Sequence, residues 1–164
     1  MAGTFGIVPG HVDNAAGPGG TTFNTPQGIT TDGTNLYVAD SGNNLIRRVT
    51  IATGAVTTMA GTAEVSGHDD NVLGPGGTTF SNPVGITTDG TNLYVTETNN
   101  HLVRKVAIAT EAVTTVAGTS GVEGNNDDTV GSGITTFNIP RGITTDGTSL
   151  YVADRSNHTI RKIR

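Results

Sequence analysis

The sequence has no cysteine, no tryptophan and only two methionines, and its aromatic and charged residues amount to 4% and 14%. Without cysteine there can be no disulfide framework, no thiolate metal site and no cysteine nucleophile. No stretch approaches the ~18 apolar residues of a membrane span. Met1-Ala2-Gly3-Thr4 also lacks the basic and apolar regions of a signal peptide, so no membrane role is expected. Lysine is scarce, with two among nine basic residues, and the formal net charge is -5; both count against a nucleic-acid partner, which needs a cationic footprint. What the chain does have is 30 Thr, 24 Gly and 14 Asn, together 68 of 164 positions. Gly and Asn supply the positive φ that tight turns need, and Thr suits a pleated, half-buried surface. This is a turn-and-strand composition, and it excludes a helical bundle.

An internal repeat sets the architecture. The segment Pro26 to Val38 returns as Pro83 to Val95 and again as Pro140 to Val152, with a constant 57-residue period. Residues 26–50 match 83–107 at 16 of 25 positions, and 51–62 match 108–119 at 10 of 12. Identity at that level implies three copies of one supersecondary unit, stacked so that each buries a face it could not bury alone. The repeats run over about 5–61, 62–118 and 119–164, in a single repeat domain spanning 1–164. Within the first, Gly28 to Thr31, Leu36 to Asp40, Leu45 to Ile51 and Ala55 to Ala60 read as strands, with Asp32-Gly33 as a hairpin signal. Leu36-Tyr37-Val38-Ala39 is apolar on both sides of the pleat, as in a strand covered on both faces. Four-stranded antiparallel units covered on both faces by neighbouring copies are blades of a β-propeller. A β-solenoid coil, at about 20–30 residues, is too short for this period.

Tyr94-Val95-Thr96-Glu97-Thr98-Asn99-Asn100-His101-Leu102-Val103-Arg104-Lys105-Val106 resembles the core of the NHL repeat, with Asn100-His101-Leu102 spelling its name. Asn43-Asn44-Leu45 and Asn157-His158-Thr159 hold the same place in the other copies. The resemblance implies a propeller, usually of six blades, in a family that serves many roles. Relatives of the gluconolactonase type bind calcium through inward carboxylates, but the comparable first-strand positions here are Gln27, Val84 and Arg141. Amidating lyases of this fold use metal-bound histidines in the channel. The four histidines here, His11, His68, His101 and His158, fall into repeat-equivalent pairs instead of one converging set.

Asp40, Glu97 and Asp154 recur with the same period and look like general acids. A carboxylate at a strand end beside Gly and Asn more often accepts backbone N–H groups in a turn, and the same holds for Asp32, Asp89 and Asp146. His101 and His158, also repeated per blade, are expected to be structural. Six of the basic residues are paired on the third strands (Arg47-Arg48, Arg104-Lys105, Arg161-Lys162), where they could touch phosphate. Phe23, Phe80 and Phe137, like Tyr37, Tyr94 and Tyr151, share the repeat spacing and are expected in the core, which leaves few aromatic platforms for a sugar. The segments 62–82 and 119–139, with 4–25 as the first copy, are long for compact domains and are therefore the places to seek a ligand site. Their acidic clusters are Asp13-Asn14, Asp69-Asp70-Asn71 and Asp127-Asp128. His11, Asp13, His68, Asp70 and Asp127 form the candidate ligand-binding set on this loop face. Oxygen-rich clusters of this kind would suit Ca²⁺, but solvated turns are the favoured reading, and no metal or other cofactor is assigned.

The expected fold is thus all-β: three four-stranded NHL-like blades, half of a six-bladed ring. Three full copies would need seven more positions than the chain has, so the third copy is expected to lack its outer strand. The expected function is a non-enzymatic scaffold that closes a ring with a second copy of itself and offers the loop face to a protein or small ligand. In that dimer, Thr4 to Val8 of one copy would pair along Thr159 to Ile163 of the other. The alternatives are a channel-site lyase or lactonase-like enzyme, and an RNA-binding propeller face.

Overall fold

The first hairpin of each blade is closed by its own side chains. The Asp32 carboxylate accepts the backbone N–H groups of Thr34 and Asn35 at 2.8 and 2.7 Å and the Tyr37 hydroxyl at 2.7 Å. Gly33 supplies the positive φ (88°) that the turn requires, as Gly90 and Gly147 do at the same angle in the later copies. Hydrogen bonds to the charged form hold these carboxyls down. For Asp146 the Thr148 and Ser149 N–H groups and the Tyr151 hydroxyl lower the value to about 2. Desolvation, followed by the bond to Asp32, pushes the Tyr37 phenol up to about 12.

The computed structural model of the chain describes residues 10–17, 20–74, 76–127 and 135–163. Among these, eleven strands follow in order: β1 Pro26–Thr31, β2 Asn35–Asp40, β3 Leu45–Thr50, β4 Val56–Ala60, β5 Pro83–Thr88, β6 Asn92–Glu97, β7 Leu102–Ala107, β8 Val113–Ala117, β9 Pro140–Thr145, β10 Leu150–Asp154 and β11 Thr159–Ile163. They form three antiparallel sheets ordered β1-β2-β3-β4, β5-β6-β7-β8 and β9-β10-β11. The strand boundaries read from the sequence are met to within two residues in the first repeat. The expected pairing of Thr4 to Val8, like Asp128, lies outside the described residues. Among the described residues, no helix is long and apolar enough to cross a membrane.

The sheets stack through their faces, as strands apolar on both sides require. Tyr37, Ala39, Ile46 and Met59 of the first blade share one cluster with Phe80, Ile86, Leu93 and Val95 of the second. Val103 of the second blade packs with Phe137, Leu150 and Val152 of the third. The innermost strands approach so closely that a Cβ at Gly28 would lie 2.3 Å from the Val84 carbonyl oxygen, and one at Gly85 2.0 Å from that of Arg141. A third cluster, Val38, Val49 and Val56 with Phe23 and Leu36, lines the first blade's other face and meets no further blade among the described residues. Ile29 there is 60% exposed, whereas its counterpart Ile86 is 7% exposed.

The long segments are less open than their length suggests. Asn14 bridges Val56 and Asn71 bridges Val113, both antiparallel. The first two segments therefore run beside the outer strand of the blade that follows them, covering an edge that would otherwise offer unpaired N–H and C=O groups.

Candidate functional site

The densest polar chemistry lies along the outer half of each blade, on residues contributed by the end of the second strand, the third strand and the long segment. Asp40 ends β2 and is fully buried. It accepts the Asn24 N–H at 2.7 Å, the Asn43 side-chain amide at 2.8 Å and Arg47 Nη1 at 3.0 Å. Arg47, on β3 and also buried, turns its Nη2 to Asp13 Oδ1 at 2.5 Å and to the Val12 carbonyl at 3.1 Å. Its guanidinium lies 5.1 Å from the centre of the Phe23 ring, a distance at which the ring quadrupole attracts a cation.

The same assembly occurs twice more. In the second blade Glu97 takes the Ser81 N–H at 2.9 Å and pairs with Arg104, which reaches Asp70 at 2.6 Å and stacks on Phe80. Burial pushes the Glu97 carboxyl up, against the opposing pull of Arg104 and the Ser81 N–H. In the third, Arg161 joins Asp154 at 2.9 Å to Asp127 and stacks on Phe137. A fully buried ion is tolerated only when paired and hydrogen-bonded. Asp40, Glu97 and Asp154 and the terminal nitrogens of the three arginines are held in that way, while Nε of Arg47 and of Arg104 is buried without a hydrogen-bond partner.

This places each residue of the candidate set. Asp13, Asp70 and Asp127 sit in three different blades, each on its own buried arginine, and Asp13 and Asp70 also accept the N–H groups of Thr58 and Thr115. His11 lies 3.7 Å from Glu64, and His68 is exposed. Among the described residues, no group of three or more His, Cys, Asp or Glu side chains could hold a metal ion. Millimolar Ca²⁺ is accordingly expected to leave the melting temperature unchanged, since a ligand bound only to the folded state would raise it. A rise of several degrees in a calcium titration would overturn this expectation.

Asp40, Glu97 and Asp154 accept backbone N–H groups, but those of Asn24, Ser81 and Asn138, sixteen residues upstream in the long segments. Asp40 and Asp154 make no side-chain bond to the backbone of the turn that follows them, which differs from the role their spacing suggested. His101 and His158 adopt positive φ of 59° and 57°, like Asn44 at 58°. They stand at the one-residue corner into the third strand, where Asn and His are among the residues that best tolerate this conformation. His101 Nδ1 accepts the Ile139 N–H of the next blade at 3.2 Å, as Asn44 Oδ1 accepts that of Asn82 at 2.9 Å.

What sequence reasoning missed is the role of Arg47, Arg104 and Arg161. In sequence they pair with their neighbours as cations that could reach phosphate, yet three of those six charges are buried and neutralised within their blades. The signal was present. This position is Arg in all three copies while the next varies between Arg and Lys. Every copy also carries one carboxylate at the end of the preceding strand and another, at a fixed interval, in the long segment upstream.

Stacked antiparallel sheets with close-set inner strands define a β-propeller repeat scaffold. No family model matches the chain. The bovine (Bos taurus) NHL repeat-containing protein 2 is 35% identical over 142 residues, which covers 77% of this chain and 18% of that protein. The chain therefore spans less than a fifth of this curated relative's length. Among solved structures, a Bacteroides thetaiotaomicron protein of unknown function superposes with a TM-score of 0.69 at 27% identity, over 78% of this chain and 32% of its own. An auxiliary nutrient binding protein from Bacteroides ovatus does so with a TM-score of 0.71 at 23% identity, over 88% and 38%. The chain belongs to the NHL-repeat family of β-propellers.

Proposed function

We propose that this chain is a non-enzymatic NHL-repeat scaffold whose two outer faces are completed by the blades of a second copy, closing a six-bladed ring. The observation that carries this reading is the contrast between equivalent residues. Ile160 on the third blade is 73% exposed, whereas Ile46 and Val103 at the same place in the other blades are fully buried against a neighbour. At the other end, Phe23, Pro26, Ile29, Leu36, Val38 and Ile51 line an apolar groove of about 520 Å³. Each exposed face is a near-copy of one that packs inside the chain, so each fits the opposite end of a second copy. Burying a side chain such as Ile29 or Ile160 is worth roughly 1.5–3 kcal/mol, so these faces favour a partner.

Three blades of six turn through half a circle, so two head-to-tail contacts close as a dimer and leave no open filament. In a longer chain, further blades of that chain would fill the same two places; in a dimer of the 164-residue chain, the blades of the second copy fill them. The absence of enzymatic activity is supported by the use of every repeated carboxylate in turns and ion pairs. A partner surface on the long segments is supported by the exposed Val12, Val65, Val72, Leu73 and Val122 that lie there. Light scattering at micromolar concentration tests the ring: the expected mass is that of two chains, and a single-chain mass, or one of three or four chains, overturns it.

A further inference from the structure

At both joints inside the chain the same backbone contacts recur. Gly28 faces the Val84 carbonyl and Gly85 the Arg141 carbonyl, at distances that leave no room for a Cβ. Asn44 and His101 accept N–H groups from Asn82 and Ile139, the residues that precede the first strand of the next blade. Ser41 and Thr98 donate to the carbonyls of Pro83 and Pro140 that begin that strand. The third blade keeps the glycine and the histidine, as Gly142 and His158, although no further blade follows it within the 164 residues. A Cβ on Gly142 would have only the Ala153 Cβ near it, at an ordinary 3.6 Å. The backbone of Gly142 does not need positive φ. His158 stands in the same left-handed corner as His101, exposed, and Arg155 occupies the place of Ser41 and Thr98.

Subtracting the repeat length gives what should meet them: Val84 and Arg141 correspond to Gln27, Asn82 and Ile139 to Thr25, and Pro83 and Pro140 to Pro26. Thr25 has φ 45°, against 50° and 55° at Asn82 and Ile139, so the first blade already holds the backbone conformation that the internal joints use. We infer that a second copy docks in one register, with the partner's Gln27 carbonyl against Gly142, the partner's Thr25 N–H on His158 Nδ1 and the partner's Pro26 carbonyl within reach of Arg155. The occupant of the groove is thus another copy of this chain, selected by backbone complementarity as well as by apolar burial.

This inference rests on the ring reading, and one experiment separates the two. Sedimentation equilibrium is run on the full chain and on Gly142→Ala, His158→Leu and His158→Asn, with circular dichroism and melting as folding controls. A methyl group at position 142 is accommodated within one copy but collides with the partner's backbone, so Gly142→Ala is expected to weaken the dimer by at least 100-fold while its circular dichroism stays native. His158→Leu removes the acceptor and is expected to cost about tenfold, whereas His158→Asn keeps an acceptor, as Asn44 does, and should stay within threefold. A monomeric parent chain overturns the ring and the register together. A dimeric parent with an equally tight Gly142→Ala dimer overturns the register alone. Should Gly142→Ala fail to fold, the histidine pair decides, and equal dissociation constants for His158→Leu and His158→Asn overturn the assigned contact.

Discussion

Replacing Arg104 by Ala is expected to lower the free energy of unfolding by about 3–5 kcal/mol, because it leaves a buried charge without its partner. Glu97 is fully buried, and its other donors are the Ser81 N–H and the Asn100 amide, both neutral. The substitution also frees the Asp70 carboxylate and the Thr79 and Asp69 carbonyls, which Arg104 now satisfies, and uncovers one face of Phe80. Urea unfolding at a fixed protein concentration measures this effect, since any association adds to apparent stability.

Two further variants identify the cause. Lys105→Ala, one residue along the same strand but only partly buried, should change stability by no more than about 0.5 kcal/mol. The double variant Arg104→Met with Glu97→Leu removes both charges and should recover most of the loss, because apolar replacement of a whole buried pair is often neutral. A loss below about 1 kcal/mol for Arg104→Ala would mean that Glu97 is hydrated or protonated and that the pair is not a structural hub.

The buried arginines also mark the limit of what the sequence disclosed. Strands were legible because their determinants are local: alternation, Asp-Gly turns and the repeat period can each be read along the chain without knowing which elements meet. The turn role of Asp32 and Asp146 was legible for the same reason, as was the core placement of Phe80 and Phe137, both fully buried. Arg104 was not, since its fate depends on Glu97 at the end of the neighbouring strand and on Asp70 in the long segment far upstream, which only the folded blade brings together. The loop carboxylates were open to a ligand reading on the same grounds. Asp13 and Asp70 form a recurring acidic feature in sequence, and the arginine that each binds is on another element. The long segments were legible as unusual but not as edge covers, because a single bridge such as Asn71 to Val113 leaves no alternating pattern to read.

Gly85→Ala is expected to be the most damaging methyl addition at the joint between the second and third blades. The added carbon would lie 2.0 Å from the Arg141 carbonyl oxygen and 2.8 Å from Thr96 Oγ1. Neither is the yielding end of a long side chain. The Gly85 N–H donates to Thr96 Oγ1 at 2.8 Å, and that hydroxyl donates to the Arg141 carbonyl at 2.5 Å, so relieving the overlap means separating the two inner strands and breaking this relay. Overpacking of this kind costs about 1–3 kcal/mol, occasionally more. For a chain of this size each kcal/mol lowers the melting temperature by roughly 2–4 °C. A fall of about 5–10 °C is the expected reading, measured where the chain is monomeric. Under the same conditions Gly142→Ala, an identical change at the equivalent position with open space beside it, should be neutral or stabilising by up to about 1 kcal/mol, as Gly to Ala is wherever the backbone permits it. The neighbour within the blade differs, Thr96 against Ala153, so Gly28→Ala completes the comparison. The nearest atoms to its Cβ all belong to Val84 and Ile86 of the following blade, and its difference from Gly142→Ala isolates that contact. If Gly85→Ala melts with the parent chain, or Gly142→Ala falls as far as Gly85→Ala in the monomer, close approach of neighbouring blades is not what demands glycine there.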